Sequence, residues 1–212
     1  MTYLYIGLLL IVSYLIGSIQ SGLIIGKVFK KVDIREHGSK NTGATNAIRV
    51  LGFKYGIWAF VFDTIKGALM ISVLKYVHAT DFYMINQLNF ISIYGFVAVL
   101  GHVFSVFNHF KGGKAVATSL GVILAIEPII AIIIGVVFLT VFLITRYVSL
   151  GSTYAAITTI VSFAIRLFLP INDMNIESKI FEIVVFILLA SLIFIKHKAN
   201  YERLKTGTEH KM

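Results

Sequence analysis

The chain reads as an all-α polytopic membrane protein, a bundle of seven transmembrane helices with its N-terminus outside and its C-terminus in the cytoplasm. Three observations predict this. First, 58% of the 212 residues are hydrophobic and only 14% charged, with a mean hydropathy of +0.88, whereas soluble domains carry about 25% charged residues. Second, apolar runs of membrane length, or nearly so, recur along the whole chain. Third, basic residues collect in alternate connections, as the positive-inside rule requires.

The runs extend from Tyr3 to Gly26, Tyr55 to Val77, Leu88 to Phe107, Val116 to Ile126, Pro128 to Ile144, Leu150 to Leu169 and Ile180 to Ile195. Each crossing of a hydrocarbon core about 30 Å thick needs about 20 residues, so seven use about 140 and leave no room for a separate soluble domain. Residues 1–212 are therefore expected to form a single membrane-embedded domain. The first run lacks a basic flank and is longer than a secretory core, so it is expected to be a retained helix. The fourth run is short. It begins beside a glycine-rich loop and stops at Glu127-Pro128, which ends the segment at the outer surface. Irregular backbone at membrane depth is tolerated only inside protein or along a polar cavity, so a short helix entered from a glycine loop marks a site.

With the N-terminus outside, segments 27–54, 108–115, 145–149 and the tail from Lys196 face the cytoplasm and hold fifteen of the nineteen basic residues. The outer connections, 78–87, Glu127-Pro128 and 170–179, hold only Lys179. The net charge of +9 follows from this bias and from attraction to anionic lipid or substrate. Nucleic-acid binding is not expected. There is no cysteine, which excludes disulfides, thiolate metal ligands and cysteine nucleophiles.

Three polar patches fall on the inner side. Segment 38–49 joins Gly38 and Gly43 to the hydroxyls of Ser39, Thr42 and Thr45, the amides of Asn41 and Asn46, and Arg49. Glycines admit close backbone approach, amide N–H groups cradle anions, and a guanidinium grips phosphate in two places. Lys111-Gly112-Gly113-Lys114 opens the short fourth run, where free helix N–H groups and lysines attract phosphate. It is not a nucleotide-hydrolysing loop: the upstream glycine is missing and Ala115 follows the lysine. In the third patch His197 and Asn200, three apart, share a helical face. His102 lies within the third run, where an ionisable ring is functional by default. Asp63 and Lys66, three apart in the second run, are expected to neutralise each other as a structural ion pair.

Taken together, Gly17 to Gly22, Asp33-Ile34-Arg35 with Gly38 to Arg49, Phe62 to Gly67, Gly101 to Thr118, Ser149 to Gly151 and His197 to Glu209 resemble the bacterial acyl-phosphate:glycerol-3-phosphate acyltransferases of the PlsY type. The resemblance spans nearly the whole chain. It implies a seven-helix bacterial plasma-membrane enzyme that acylates the sn-1 hydroxyl of glycerol 3-phosphate from acyl phosphate, on the cytoplasmic face. It further implies Ser39, Arg49, His197 and Asn200 as catalytic, and Asn41, Thr45, Asn46, Lys111, Gly112, Gly113 and Lys114 as substrate-binding. Glu209, like Asp63 and Lys66, is structural. No metal or cofactor is implied, and a soluble acyl-phosphate-producing enzyme is a conceivable partner. The chain departs from that pattern where Lys40 replaces a glycine, Thr42 a proline or aliphatic residue, Ser105 a proline and Ala115 a glycine.

The competing class is a transporter or flippase for an anionic solute, because broken helices and midplane charges also mark transport sites. No inverted repeat is visible, and the polar patches share one side. The His-x4-Asp pattern of many acyl-CoA-dependent acyltransferases is absent.

Overall fold

A computed structural model describes residues 2–79, 90–170 and 175–212. Most of the outer connection expected at 78–87, part of that at 170–179, and Leu88 lie outside the described residues. Every regular element among the described residues is a helix: α1 (Thr2–Ser18), α2 (Ser21–Ile25), α3 (Ala44–Leu51), α4 (Phe53–Ala79), α5 (Ser92–Val103), α6 (Val116–Ile126), α7 (Pro128–Thr145), α8 (Val148–Arg166), α9 (Ile176–Lys196) and α10 (Lys198–Lys205). Four of them, α4, α7, α8 and α9, are long and apolar enough to cross a membrane alone, and the bent pair from Tyr3 to Lys30 brings the number to five where it is counted as one span. The apolar helices around Ser92–Asn108 and at Val116–Ile126 are shorter.

All seven apolar runs carry helix, and the first two departures from expectation both bear on the site. The first run is not continuous. It breaks between Ser18 and Ser21 and bends by 44°, without a proline. The third helix stops at Val103, and the chain then turns through a single 3₁₀ turn at Val106–Asn108 before the glycine loop.

The chain divides into two compact units, Met1–Ile126 and Glu127–Met212. In the first, α4 and α6 pack at backbone contact. A Cβ on Gly67 would lie 2.1 Å from the Thr118 carbonyl oxygen, and one on Gly121 1.9 Å from that of Thr64, so small residues let the helices touch without lipid-like filler. This matters because α6 has 11 residues, about 16 Å at the α-helical rise, and cannot span alone. Its position is fixed by α4, and with it the loop that feeds it. A small core of Ile25, Ile34, Ala47, Leu51 and Ala59 holds α3 under the polar segment before it.

In the second unit, Pro128 starts α7 with Glu127 as its N-cap, and Arg146 turns the chain into α8 from the left-handed region at φ 63°. Asn175 caps α9, its side-chain oxygen accepting the Ser178 N–H at 2.9 Å. Arg166, 4% exposed, closes this unit by donating to Glu127 at 2.5 Å and to the buried Glu182. Phe163 and Phe186 stack beside it.

Candidate functional site

The polar segment between α2 and α3 is organised by one side chain. Asn46, 1% exposed in the first half of α3, donates its amide to the carbonyls of Ile34 at 2.8 Å, Asn41 at 2.9 Å and His37 at 3.2 Å, and accepts the Ser39 N–H at 2.8 Å. Gly38 supplies the turn, at φ +59°, and a Cβ there would strike the Asn46 oxygen at 2.4 Å. Asn46 therefore spends its hydrogen-bonding capacity on the loop and fixes where Ser39 and Asn41 stand. Ser39, Thr45 and Arg49 remain partly exposed.

The glycine loop is shaped by His102. Gly113 donates its N–H to the His102 carbonyl at 3.1 Å. A Cβ on Gly112 would lie 1.9 Å from that carbonyl oxygen, and one on Gly113 2.0 Å from the His102 Nε2. Only glycine fits at either position. The His102 ring, 3% exposed, has Nδ1 3.8 Å from Asp63, which also accepts the Ser21 hydroxyl at 2.8 Å and pairs with Lys66 at 2.8 Å. Asp63 and Lys66 thus form the buried pair expected of them, and Lys66 further donates to the Ile19 carbonyl in the helix break.

The two loops meet. A Cβ on Gly43 would come 4.0 Å from the Gly113 Cα, and beside them lies a cavity of about 410 Å³. Of the residues named from the sequence, Asn41, Lys111 and Gly112 line it; Arg35, Lys40, Thr42, Asn108 and His109 line it as well. None of the eight lining residues is acidic. Arg35 is not a loose charge: it holds Asp33 through the Nε–Nη2 edge of its guanidinium, and its Nη1 donates to the buried Asn108 at 2.6 Å. That guanidinium keeps the Asp33 carboxyl well below the usual carboxylate range. Arg35 lay in plain view as part of Asp33-Ile34-Arg35, but His109 and Asn108 become wall residues only because of the turn after α5. Ser39, Thr45, Asn46, Arg49, Gly113 and Lys114 do not line this cavity.

Where glycine was expected, the backbone keeps glycine-like geometry. Lys40 sits at φ 58° and Ala115 at φ 71°, left-handed conformations that cost an L-residue roughly 1–2 kcal/mol. Ser105, in place of a proline, has φ −66° and donates its hydroxyl to the Ser18 carbonyl at 2.6 Å.

The third patch belongs to the second unit. His197, 2% exposed, sits at the joint of α9 and α10, with Nδ1 2.8 Å from the Ile193 carbonyl. A carbonyl only accepts, so Nδ1 carries the proton and Nε2 is the basic nitrogen of the neutral ring. Asn200, 5% exposed, donates to Glu209 at 2.6 Å, and the same carboxylate accepts Arg203 at 2.7 Å and Ser149 at 3.2 Å. Burial pushes the Glu209 carboxyl up, but these three donors outweigh it and hold the group below its ordinary value. Glu209 is thus the clamp of the C-terminal tail, fixing Asn200.

These features define an all-helical membrane protein with a basic, polar-walled cavity built from two glycine-punctuated loops. A family profile for glycerol-3-phosphate acyltransferase matches residues 7–207. The glycerol-3-phosphate acyltransferase of Acholeplasma laidlawii is 45% identical, covering 100% of this chain and 95% of that protein; that of Macrococcus caseolyticus is 42% identical over 98% and 97%. Among solved structures, PlsY (YgiH), an integral membrane glycerol 3-phosphate acyltransferase, superposes in its glycerol 3-phosphate form with a TM-score of 0.82 and 38% identity, over 97% of this chain and 94% of that one. Its lysophosphatidic acid form gives 0.80 and 36%. The chain belongs to the glycerol-3-phosphate acyltransferase family of the PlsY type, integral membrane enzymes of bacterial lipid synthesis.

Proposed function

We propose that the protein transfers a fatty acyl group from acyl phosphate to the sn-1 hydroxyl of glycerol 3-phosphate, releasing lysophosphatidic acid and inorganic phosphate. The observation that carries this reading is the cavity whose walls bring Arg35, Lys40, His109 and Lys111 together without an acidic lining residue, which suits a phosphorylated, membrane-impermeant substrate. Two structures of PlsY (YgiH), in glycerol 3-phosphate and lysophosphatidic acid forms, support it.

Acyl phosphate is an activated mixed anhydride, so the reaction needs neither a covalent enzyme nucleophile nor a metal. The glycerol hydroxyl oxygen attacks the acyl carbon, the bond from that carbon to the phosphate oxygen breaks, and phosphate departs. Holding the two reactants in line is worth up to roughly 7–11 kcal/mol. Arg49, Lys114, Lys111, Asn41, Thr45, Asn46 and the amides of Gly112 and Gly113 serve phosphate binding, directly or by shaping the loops. Ser39, His197 and Asn200 orient the hydroxyl. Its proton passes to the departing phosphate or to His197 Nε2, the latter a role worth about 10² to 10⁴ in rate.

In this reading the five spans and the two shorter apolar helices make seven crossings of a bacterial plasma membrane within one catalytic domain. The N-terminus lies outside and the reacting groups face the cytoplasm, where a soluble enzyme delivers the acyl phosphate. The test is turnover of labelled glycerol 3-phosphate with palmitoyl phosphate by purified protein and by its R49A, K114A and H197A variants. Loss of 10²-fold or more in kcat for H197A supports His197 as the base; turnover within a few-fold of normal excludes it. Because the chain has no cysteine, single cysteines at Glu36 and Lys205 report sidedness by labelling in intact cells against inverted vesicles.

A further inference from the structure

The break in the first helix exposes backbone carbonyls inside a segment long enough to cross a membrane, and such groups must be satisfied from within the protein. Ser105 and Lys66 supply donors to Ser18 and Ile19. Gln20, 4% exposed, does more than patch the break. Its amide nitrogen donates to the Ser18 carbonyl at 3.2 Å and to the His102 carbonyl at 3.2 Å, and its oxygen accepts the Thr42 hydroxyl at 2.6 Å. Carbonyls only accept, so the amide has one orientation in this network.

The three partners stand in three separate segments. Ser18 ends α1. His102 receives the Gly113 N–H on the same carbonyl oxygen that takes the Gln20 amide. Thr42, 4% exposed, lies between Asn41 and Gly43 in the other loop and is itself a wall of the cavity. One buried amide therefore sets the distance between the two loops.

We propose that Gln20 is a positioning residue, which acts through Thr42 on one side and the His102 carbonyl on the other to fix the width of the cavity that receives the phosphate of glycerol 3-phosphate. The proposal rests on the substrate reading above. Gln20→Met keeps the length and apolar packing of the side chain while removing its donors and acceptor. Thr42→Val removes only the hydroxyl, and Thr42→Ser keeps it.

The experiment measures kcat and KM for glycerol 3-phosphate, with palmitoyl phosphate saturating, for the unaltered protein, Q20M, T42V, T42S and Q20M/T42V, together with thermal midpoints. Loss of one buried hydrogen bond corresponds to about a five- to tenfold rise in KM, expected for T42V, and Q20M, which also gives up its bonds to Ser18 and His102, shows a rise at least as large, with kcat changed less than threefold in both. T42S stays within twofold, and the double variant shows no greater rise than the larger single change, as two ends of one link must. Unchanged KM in Q20M and T42V with only a lowered midpoint, or effects that multiply in the double variant, overturns the proposal. If Q20M cannot be purified folded, the contrast of T42V with T42S decides: a KM rise in T42V alone supports the link, equal values overturn it. An unaltered protein that does not consume glycerol 3-phosphate overturns the substrate reading and this inference with it, an outcome distinct from normal turnover with indifferent variants.

Discussion

Replacing Asn46 by Asp changes one NH₂ for one oxygen with little change in shape, which removes the donors of that amide and puts a carboxyl group, costly in its charged form, in a buried place. In the native loop the NH₂ serves three carbonyls, of Ile34, His37 and Asn41, while Oδ1 accepts the Ser39 N–H. Asp keeps the acceptor for Ser39 but turns an oxygen toward three carbonyl oxygens at a site 1% exposed. Two N–H donors are lost at about 1 kcal/mol net each, and the carbonyls left without partners in a buried place add roughly 1–3 kcal/mol. The expected loss is about 3–5 kcal/mol, or roughly 6–20 °C in the midpoint of a chain this size. The assay is loss of helical circular dichroism on heating in detergent, paired with KM for glycerol 3-phosphate. Asn46→Asp should melt well below the unaltered protein and show a raised KM, because Ser39 and Asn41 lose their footing. A midpoint within about 2 °C together with normal KM would refute the argument that Asn46 organises the loop.

Other consequences follow from the same geometry. Lys40→Gly relieves a left-handed residue on an exposed turn and removes a cationic wall of the cavity, so its midpoint should rise by about 1–2 °C, the strain relief of roughly 1–2 kcal/mol being partly offset by glycine's entropy, while KM rises several-fold; a lowered KM would contradict the wall assignment. Arg166→Leu leaves Glu127 and Glu182 without their shared partner, and should cost about 3–5 kcal/mol in thermal stability. Glu209 is held below its ordinary value of 4.5 in the folded protein, so its contribution to stability is present above that value and lost as pH falls through the depressed one. Midpoints measured from pH 7 to pH 3 should fall less steeply for Glu209→Gln than for the unaltered protein, and parallel curves would show that the clamp is not electrostatic.

Much of the helical architecture was legible in the residues because a membrane leaves few options: long apolar runs become helices. The short run at Val116–Ile126 kept its expected limits, since Lys114 before it and Glu127-Pro128 after it bound any helix there. The break at Ser18–Ser21 was not legible. No proline marks it, only the Gly/Ser pairs Gly17-Ser18 and Ser21-Gly22 on either side, and its stability comes from Ser105, Lys66 and Gln20 finding carbonyls that local sequence cannot reveal. The same holds for α3, which a reader of Gly43 to Asn46 takes for loop, and whose packing comes from Ile25, Ile34 and Ala59. Within the candidate site, polar composition marked the two loops, but it could not separate wall residues from organisers. Asn46 looked like a ligand contact and proves to be saturated by backbone, while Arg35 and His109 reach the cavity only through tertiary folding. Lys40 and Ala115 show that backbone geometry outlasts the glycine that suits it, at a cost in strain.

The central claim is the identity of the two reactants, and it is tested most directly by supplying purified protein in detergent with glycerol 3-phosphate and either palmitoyl phosphate or palmitoyl-CoA. The account predicts lysophosphatidic acid and stoichiometric inorganic phosphate from palmitoyl phosphate and no product from the thioester. Product from palmitoyl-CoA, or none from palmitoyl phosphate, would contradict it.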